Sequence, residues 1–85
     1  MTIQYFGKLR EQFGASEIEM SLPADVKTAA ELRDVLAASW DTERKGGESM
    51  RAASVRVVIN EEISPWDTPV TDKDHVAFIP PVSGG

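Results

Sequence analysis

The sequence predicts an α+β domain, a mixed sheet carrying one main helix on one of its faces. Three observations lead there. Short stretches alternate apolar and polar residues as half-buried strands do, and one longer stretch repeats its apolar residues at helical spacing behind a capping signal. The resulting order is strand, strand, helix, strand, short strand, strand, which leaves a single main helix to cover one sheet face.

Thr2 to Phe6 alternates, with Ile3 and Tyr5 toward the core and Gln4 and Phe6 away from it. Gly7 breaks this strand. Leu9 and Phe13, four residues apart, suit one or two helical turns that Gly14 ends. A second strand runs from Ser16 to Leu22, with Ile18, Met20 and Leu22 inward, and Pro23 stops it because proline has no N–H for a ladder. Thr28-Ala29-Ala30-Glu31 is a capping box, in which hydroxyl and carboxylate satisfy orphan N–H groups at a helix start. Leu32, Val35, Leu36 and Trp40 then form one apolar helical stripe.

Asp41 to Met50 is polar, contains Gly46-Gly47 and reads as a surface loop. It is no phosphate cradle, since no strand precedes it and no Lys-Ser/Thr follows. Val55 to Ile59 is a third strand, with Val55, Val57 and Ile59 alternating against Arg56 and Val58. Asn60-Glu61-Glu62 makes a turn, Ile63 sits on a short return strand, and Pro65, Asp67 and Pro69 keep the backbone around Trp66 irregular. The last strand is His75 to Ile79, with Val76 and Phe78 inward and Ala77 and Ile79 outward; His75 reads as a solvated residue. If the first and last strands are neighbours, Phe6, Ile63 and Ile79 form an apolar patch on the open face, and such patches mark protein interfaces.

The domain therefore spans residues 1–79, and residues 80–85 form an extended tail. Pro80 and Pro81 hold φ near −65° and stiffen its root, Val82 and Ser83 follow, and Gly84 and Gly85 can thread a passage too narrow for any side chain. Six extended residues reach roughly 20 Å, enough to carry the Gly85 carboxylate into another protein. An ionised carboxylate, with a pKa of about 3.3 to 3.7, is a poor electrophile, so nucleotide-dependent activation has to precede any acyl chemistry there.

Composition narrows the chemistry. The 85 residues suit one small domain and include no cysteine and one histidine. Disulfides, thiolate metal sites, cysteine nucleophiles and histidine relays are thereby excluded, and no metal or bound cofactor is expected. A net charge of −5 argues against nucleic acid and against anionic membranes as partners. No segment has the layout of a signal peptide or a membrane span, so a cytoplasmic location is expected.

Asp74-His75-Val76-Ala77-Phe78-Ile79-Pro80-Pro81-Val82-Ser83-Gly84-Gly85 resembles the ending of one known family: the small, sulfur-carrying subunits of molybdopterin synthase, of the MoaD/ThiS-type ubiquitin-like β-grasp class. Tyr5-Phe6-Gly7 with Leu9-Arg10-Glu11, Leu32-Arg33 and Val58-Ile59-Asn60 extend the likeness over nearly the whole chain, and His75 stands where the family often has Glu. The resemblance implies a β-grasp fold and a chain that is no enzyme alone. An ATP-dependent adenylating enzyme would activate the Gly85 carboxylate, and a sulfur donor would convert it to a thiocarboxylate. The tail would then enter the large catalytic subunit and give its sulfur to a cyclic pyranopterin precursor of the molybdenum cofactor. It further implies a heterotetramer in which Phe6, Ile63 and Ile79, with the tail residues, dock on the large subunit. Other readings stay open at this point: a sulfur carrier of the same fold for thiamine or cysteine synthesis, a ubiquitin-like protein modifier, or a passive interaction module.

Overall fold

The computed structural model describes residues 1–43 and 46–80. Its elements are β1 (Thr2–Tyr5), α1 (Gly7–Phe13), β2 (Glu17–Glu19), α2 (Ala29–Glu43), α3 (Gly47–Arg51), β3 (Arg56–Ile59), β4 (Glu62–Ser64) and β5 (His75–Ile79). The strands form one sheet in the order β2-β1-β5-β3-β4, with β1 and β5 parallel and every other pair antiparallel. The expected mixed sheet is thus present, with the first and last strands side by side at its centre.

Alternation decides the two faces. Ile3, Tyr5, Val57, Ile59, Val76 and Phe78 are buried on the helix side, where they meet Leu32, Leu36, Ala37 and Trp40 of α2 and Leu9 of α1. Burial of this kind stabilises by roughly 25 cal/mol for each Å² of apolar surface withdrawn from water. Rings concentrate at one end of the core: Tyr5 lies 4.6 Å from Phe13, 5.3 Å from Trp40 and 6.1 Å from Phe78, centroid to centroid. Burial pushes the Tyr5 phenol up to about 12, against a smaller lowering by the Trp40 side chain. Neither Tyr5 Oη nor Trp40 Nε1 has a partner of good hydrogen-bond geometry among the described residues.

The start of α2 is fully capped. The Thr28 N–H donates to Glu31 Oε1 at 3.1 Å and the Glu31 N–H to Thr28 Oγ1 at 3.2 Å, as the capping box requires. Two further free N–H groups are taken by the Trp66 loop, Ala29 donating to the Thr68 carbonyl and Ala30 to that of Trp66. The irregular backbone at Pro65–Pro69 therefore closes the helix end, while the Arg33 guanidinium stacks 4.6 Å from the Trp66 ring centroid.

Several expectations need correction. Asp41 to Met50 is not a surface loop: α2 continues to Glu43, and α3 folds back against it with Met50 wholly buried. Asp41 organises this return, accepting from the Gly47 N–H at 3.0 Å and from Arg51 at 2.8 Å, and the Arg51 guanidinium holds its carboxyl below the usual range. Gly47 is what lets α3 approach, since a Cβ there would lie 2.5 Å from the Ala37 carbonyl oxygen. Val35 is 40% exposed, because Ala29 and Ala37 rotate the buried arc of α2 away from it. The second strand is shorter than Ser16–Leu22: pairing of Thr2 with Glu19 leaves residues beyond Met20 with no β1 to face, and the Leu22 N–H turns to the Asp72 carboxylate at 2.6 Å. The first strand ends at Tyr5, not Phe6, because Phe6 is the extended N-cap of α1.

Candidate functional site

The helix-free face of the sheet is built from cross-strand rows, since directly paired residues project to the same side. One row runs Glu17, Gln4, Ala77, Val58, Ile63 across all five strands. The flanking rows hold Glu19, Thr2 and His75 on one side and Ile79 and Arg56 on the other. The centre of this face is apolar and its β2 edge is acidic. Both Glu17 and Glu19 are held by β1, Gln4 Nε2 donating to Glu17 Oε1 at 3.0 Å and Thr2 Oγ1 to Glu19 Oε1.

A hollow of about 270 Å³ opens over Ala77, lined by Gln4, Phe6, Val58, Glu61, His75, Ala77 and Ile79. The small Ala77 side chain forms its floor. That explains a departure from expectation: Ala77 does face outward, yet only 6% of it is exposed because larger neighbours overhang it. Of the expected patch, Phe6 is 43% exposed and Ile79 half-buried, and both line the hollow. Ile63 is 75% exposed and shares the face, but it lies across Val58 on the edge strand β4, away from the hollow itself. Val58 and Glu61 belong to this surface too. The alternation of β3 placed Val58 on the outer face, whereas Glu61 carried no signal beyond its place in a turn.

The root of the tail is seated beside this hollow. The Phe6 N–H donates to the Phe78 carbonyl at 3.3 Å, holding the end of β5 against the start of α1. Gly7, at φ +54°, packs on the Pro80 ring so closely that an added Cβ would lie 2.9 Å from Pro80 Cγ. Only glycine combines that left-handed backbone with that contact at no cost. Gly7→Ala is expected to lower stability by about 1–2 kcal/mol through the backbone term alone, and to shift Pro80 and so re-aim the tail. Urea unfolding checks the first effect; an unchanged midpoint would show that Gly7 bears no load. Pro81, Val82, Ser83, Gly84 and Gly85 lie outside the described residues.

Among the described residues no group of three or more His, Cys, Asp or Glu side chains is placed to hold a metal, and no helix is long and apolar enough to cross a membrane. The face offers a shaped apolar surface with an acidic β2 edge.

Comparison with known proteins agrees with this geometry. The ThiS family matches residues 3–85. The chain is 32% identical over 83 residues to the molybdopterin synthase sulfur carrier subunit of Escherichia coli, covering 98% of this chain and 96% of that one. It is 32% identical over 85 residues to the protein of the same name in Haemophilus influenzae, covering 100% and 99%. Among solved structures it superposes on SAMP1 from Haloferax volcanii with a TM-score of 0.73 at 24% identity, covering 100% of this chain and 98% of that one, a likeness of fold.

Proposed function

The chain belongs to the ThiS family of ubiquitin-like β-grasp proteins, and from that membership we propose that it is the sulfur-carrier subunit of a molybdopterin synthase, with the Gly85 carbonyl as its reactive group. The observation that carries this reading is the match to two proteins of that name over 98% and 100% of this chain. Supporting it, an apolar hollow adjoins the root of the tail, where a partner receiving Gly85 has to dock.

The proposed cycle needs no cofactor bound to this chain. A carboxylate oxygen of Gly85 attacks the α-phosphate of ATP on an adenylating enzyme, releasing pyrophosphate and leaving an acyl-adenylate. A hydrosulfide-level sulfur donor adds to the acyl carbon and AMP departs, so a carbon–oxygen bond is exchanged for carbon–sulfur. In the large catalytic subunit the thiocarboxylate sulfur bonds to a carbon of the cyclic pyranopterin precursor as an oxygen substituent of that carbon departs with a proton. Water then cleaves the acyl–sulfur bond, leaving the sulfur on the pterin and restoring the carboxylate. Phe6, Ile63 and Ile79 dock on that subunit, in a heterotetramer, together with Pro80, Pro81, Val82 and Ser83 of the tail, while Gly84 carries the Gly85 carbonyl to the reaction. The cytoplasm supplies the ATP this cycle consumes.

Intact-mass spectrometry after incubation with the adenylating enzyme, ATP and a sulfur donor tests the proposal. The expected result is a gain equal to one oxygen replaced by sulfur, located on Gly85 and discharged on addition of the large subunit with the pyranopterin precursor. An unchanged mass overturns it. Discharge to a thiazole-forming or cysteine-forming enzyme instead would move the chain to another sulfur pathway.

A further inference from the structure

Glu61 occupies a place where the backbone favours glycine. It is the second of two residues joining β3 to β4, with Ile59 and Glu62 paired across the turn, and φ is +50° at Asn60 and +74° at Glu61. A two-residue hairpin of this type is commonly Asn-Gly, because only glycine adopts the second position without strain. Asn60 has an evident structural reason to be there: its side chain accepts from the His75 N–H and donates to Asp74, each at 3.0 Å. Glu61 has none, for among the described residues its carboxylate forms neither an ion pair nor a hydrogen bond. Backbone strain maintained without a compensating contact is characteristic of positions kept for binding.

The surroundings of Glu61 define what it would bind. It lines the hollow over Ala77 together with the hydrocarbon surfaces of Phe6, Val58 and Ile79, and with Gln4, whose amide N–H is engaged by Glu17 so that its carbonyl oxygen remains an acceptor. Arg56, the arginine this face carries, is turned to the Ala53 and Val55 carbonyls at 3.1 and 3.4 Å, and His75 lines the hollow. An apolar well with a free carboxylate and an amide carbonyl at its rim matches a long side chain with a hydrocarbon stem and a cationic head. The net charge of −5 favours approach of a basic surface.

We propose that the hollow over Ala77 receives one arginine or lysine side chain of the large subunit, with Glu61 as its counter-ion, so that Glu61 is a specificity-determining residue of the docking face. The inference rests on the docking proposed above and adds to it the chemistry of the partner's contact.

Titration of the large subunit with the full chain and with Glu61→Gln, Glu61→Gly and Ala77→Leu, at low and at moderate salt, tests it. A charge-assisted hydrogen bond lost in the Gln variant weakens binding by about tenfold or more, and the wild-type advantage shrinks as salt rises. Glu61→Gly loses the same affinity while its melting temperature rises, a combination that misfolding cannot produce. Ala77→Leu fills the well and weakens binding without removing charge. Wild-type binding matched by both Glu61 variants overturns this inference alone; a wild-type chain that does not bind the large subunit overturns the proposed docking and this inference with it.

Discussion

A chain lacking Gly85 is expected to unfold at the same temperature as the full chain and to acquire no transferable sulfur. The two halves of that expectation rest on different parts of the molecule. Every described residue of the hydrophobic core lies between Met1 and Phe78, and glycine has no side chain to bury, so removing Gly85 is expected to leave that core unchanged. Stability should therefore stay within about 0.5 kcal/mol, the range of substitutions away from structural features. Reactivity is another matter. Deletion moves the terminal carboxylate back by one residue, roughly 3.3–3.6 Å of extended chain. Misplacement by about 1 Å already costs on the order of 10²-fold where a reaction depends on held geometry. Thermal melting followed by circular dichroism and intact-mass analysis after adenylation read the two halves separately. Undiminished sulfur loading of the shortened chain would remove Gly85 from its assigned role.

How much of this molecule the sequence disclosed depended on whether the governing signal was local. The capping box at Thr28, the breaks at Gly7 and Gly14 and the alternation of β1, β3 and β5 act within a few residues, and the elements stand there. Parity along β1 and β5 likewise places Phe6 and Ile79 opposite Tyr5 and Phe78. The helix α3 is not legible in the sequence because its cause is not local. Its capping acceptor is the Asp41 side chain, one element earlier, and its tight approach depends on the absent Cβ of Gly47 facing Ala37. Met50 was the visible clue, an apolar residue in an otherwise polar stretch that had to be buried somewhere. Likewise the hollow was illegible in one dimension. It exists because the smallest side chain of the face, Ala77, lies at the sheet centre with residues from three strands and the β3–β4 turn around it. The strain that singles out Glu61 is a dihedral angle, which a composition cannot show.

Phe6→Asp is expected to dissociate the complex while leaving the fold at least as stable. Phe6 is the N-cap of α1, in extended conformation at φ −121° and ψ 159°, and it makes no side-chain hydrogen bond to the helix. Aspartate is among the best residues at that position, and replacing a residue that cannot cap contributes about 0.5–2 kcal/mol to a helix. The aromatic contact forfeited in the free chain is partial, since 43% of Phe6 is already exposed. At the interface the balance reverses. An aromatic anchor beside a hollow is the kind of residue whose truncation costs about 2–4 kcal/mol, and a carboxylate in its place adds a desolvation penalty. The net loss is about 30-fold to 1,000-fold in affinity for the large subunit, at roughly 1.4 kcal/mol per tenfold. Ile63→Asp, on the same face but at the sheet edge and 75% exposed, should cost less, because a rim residue keeps its water. Calorimetric titration of both variants, alongside their melting curves, gives the ranking. Equal losses would extend the interface to the β4 edge, and no loss for Phe6→Asp would detach docking from this face of the sheet altogether.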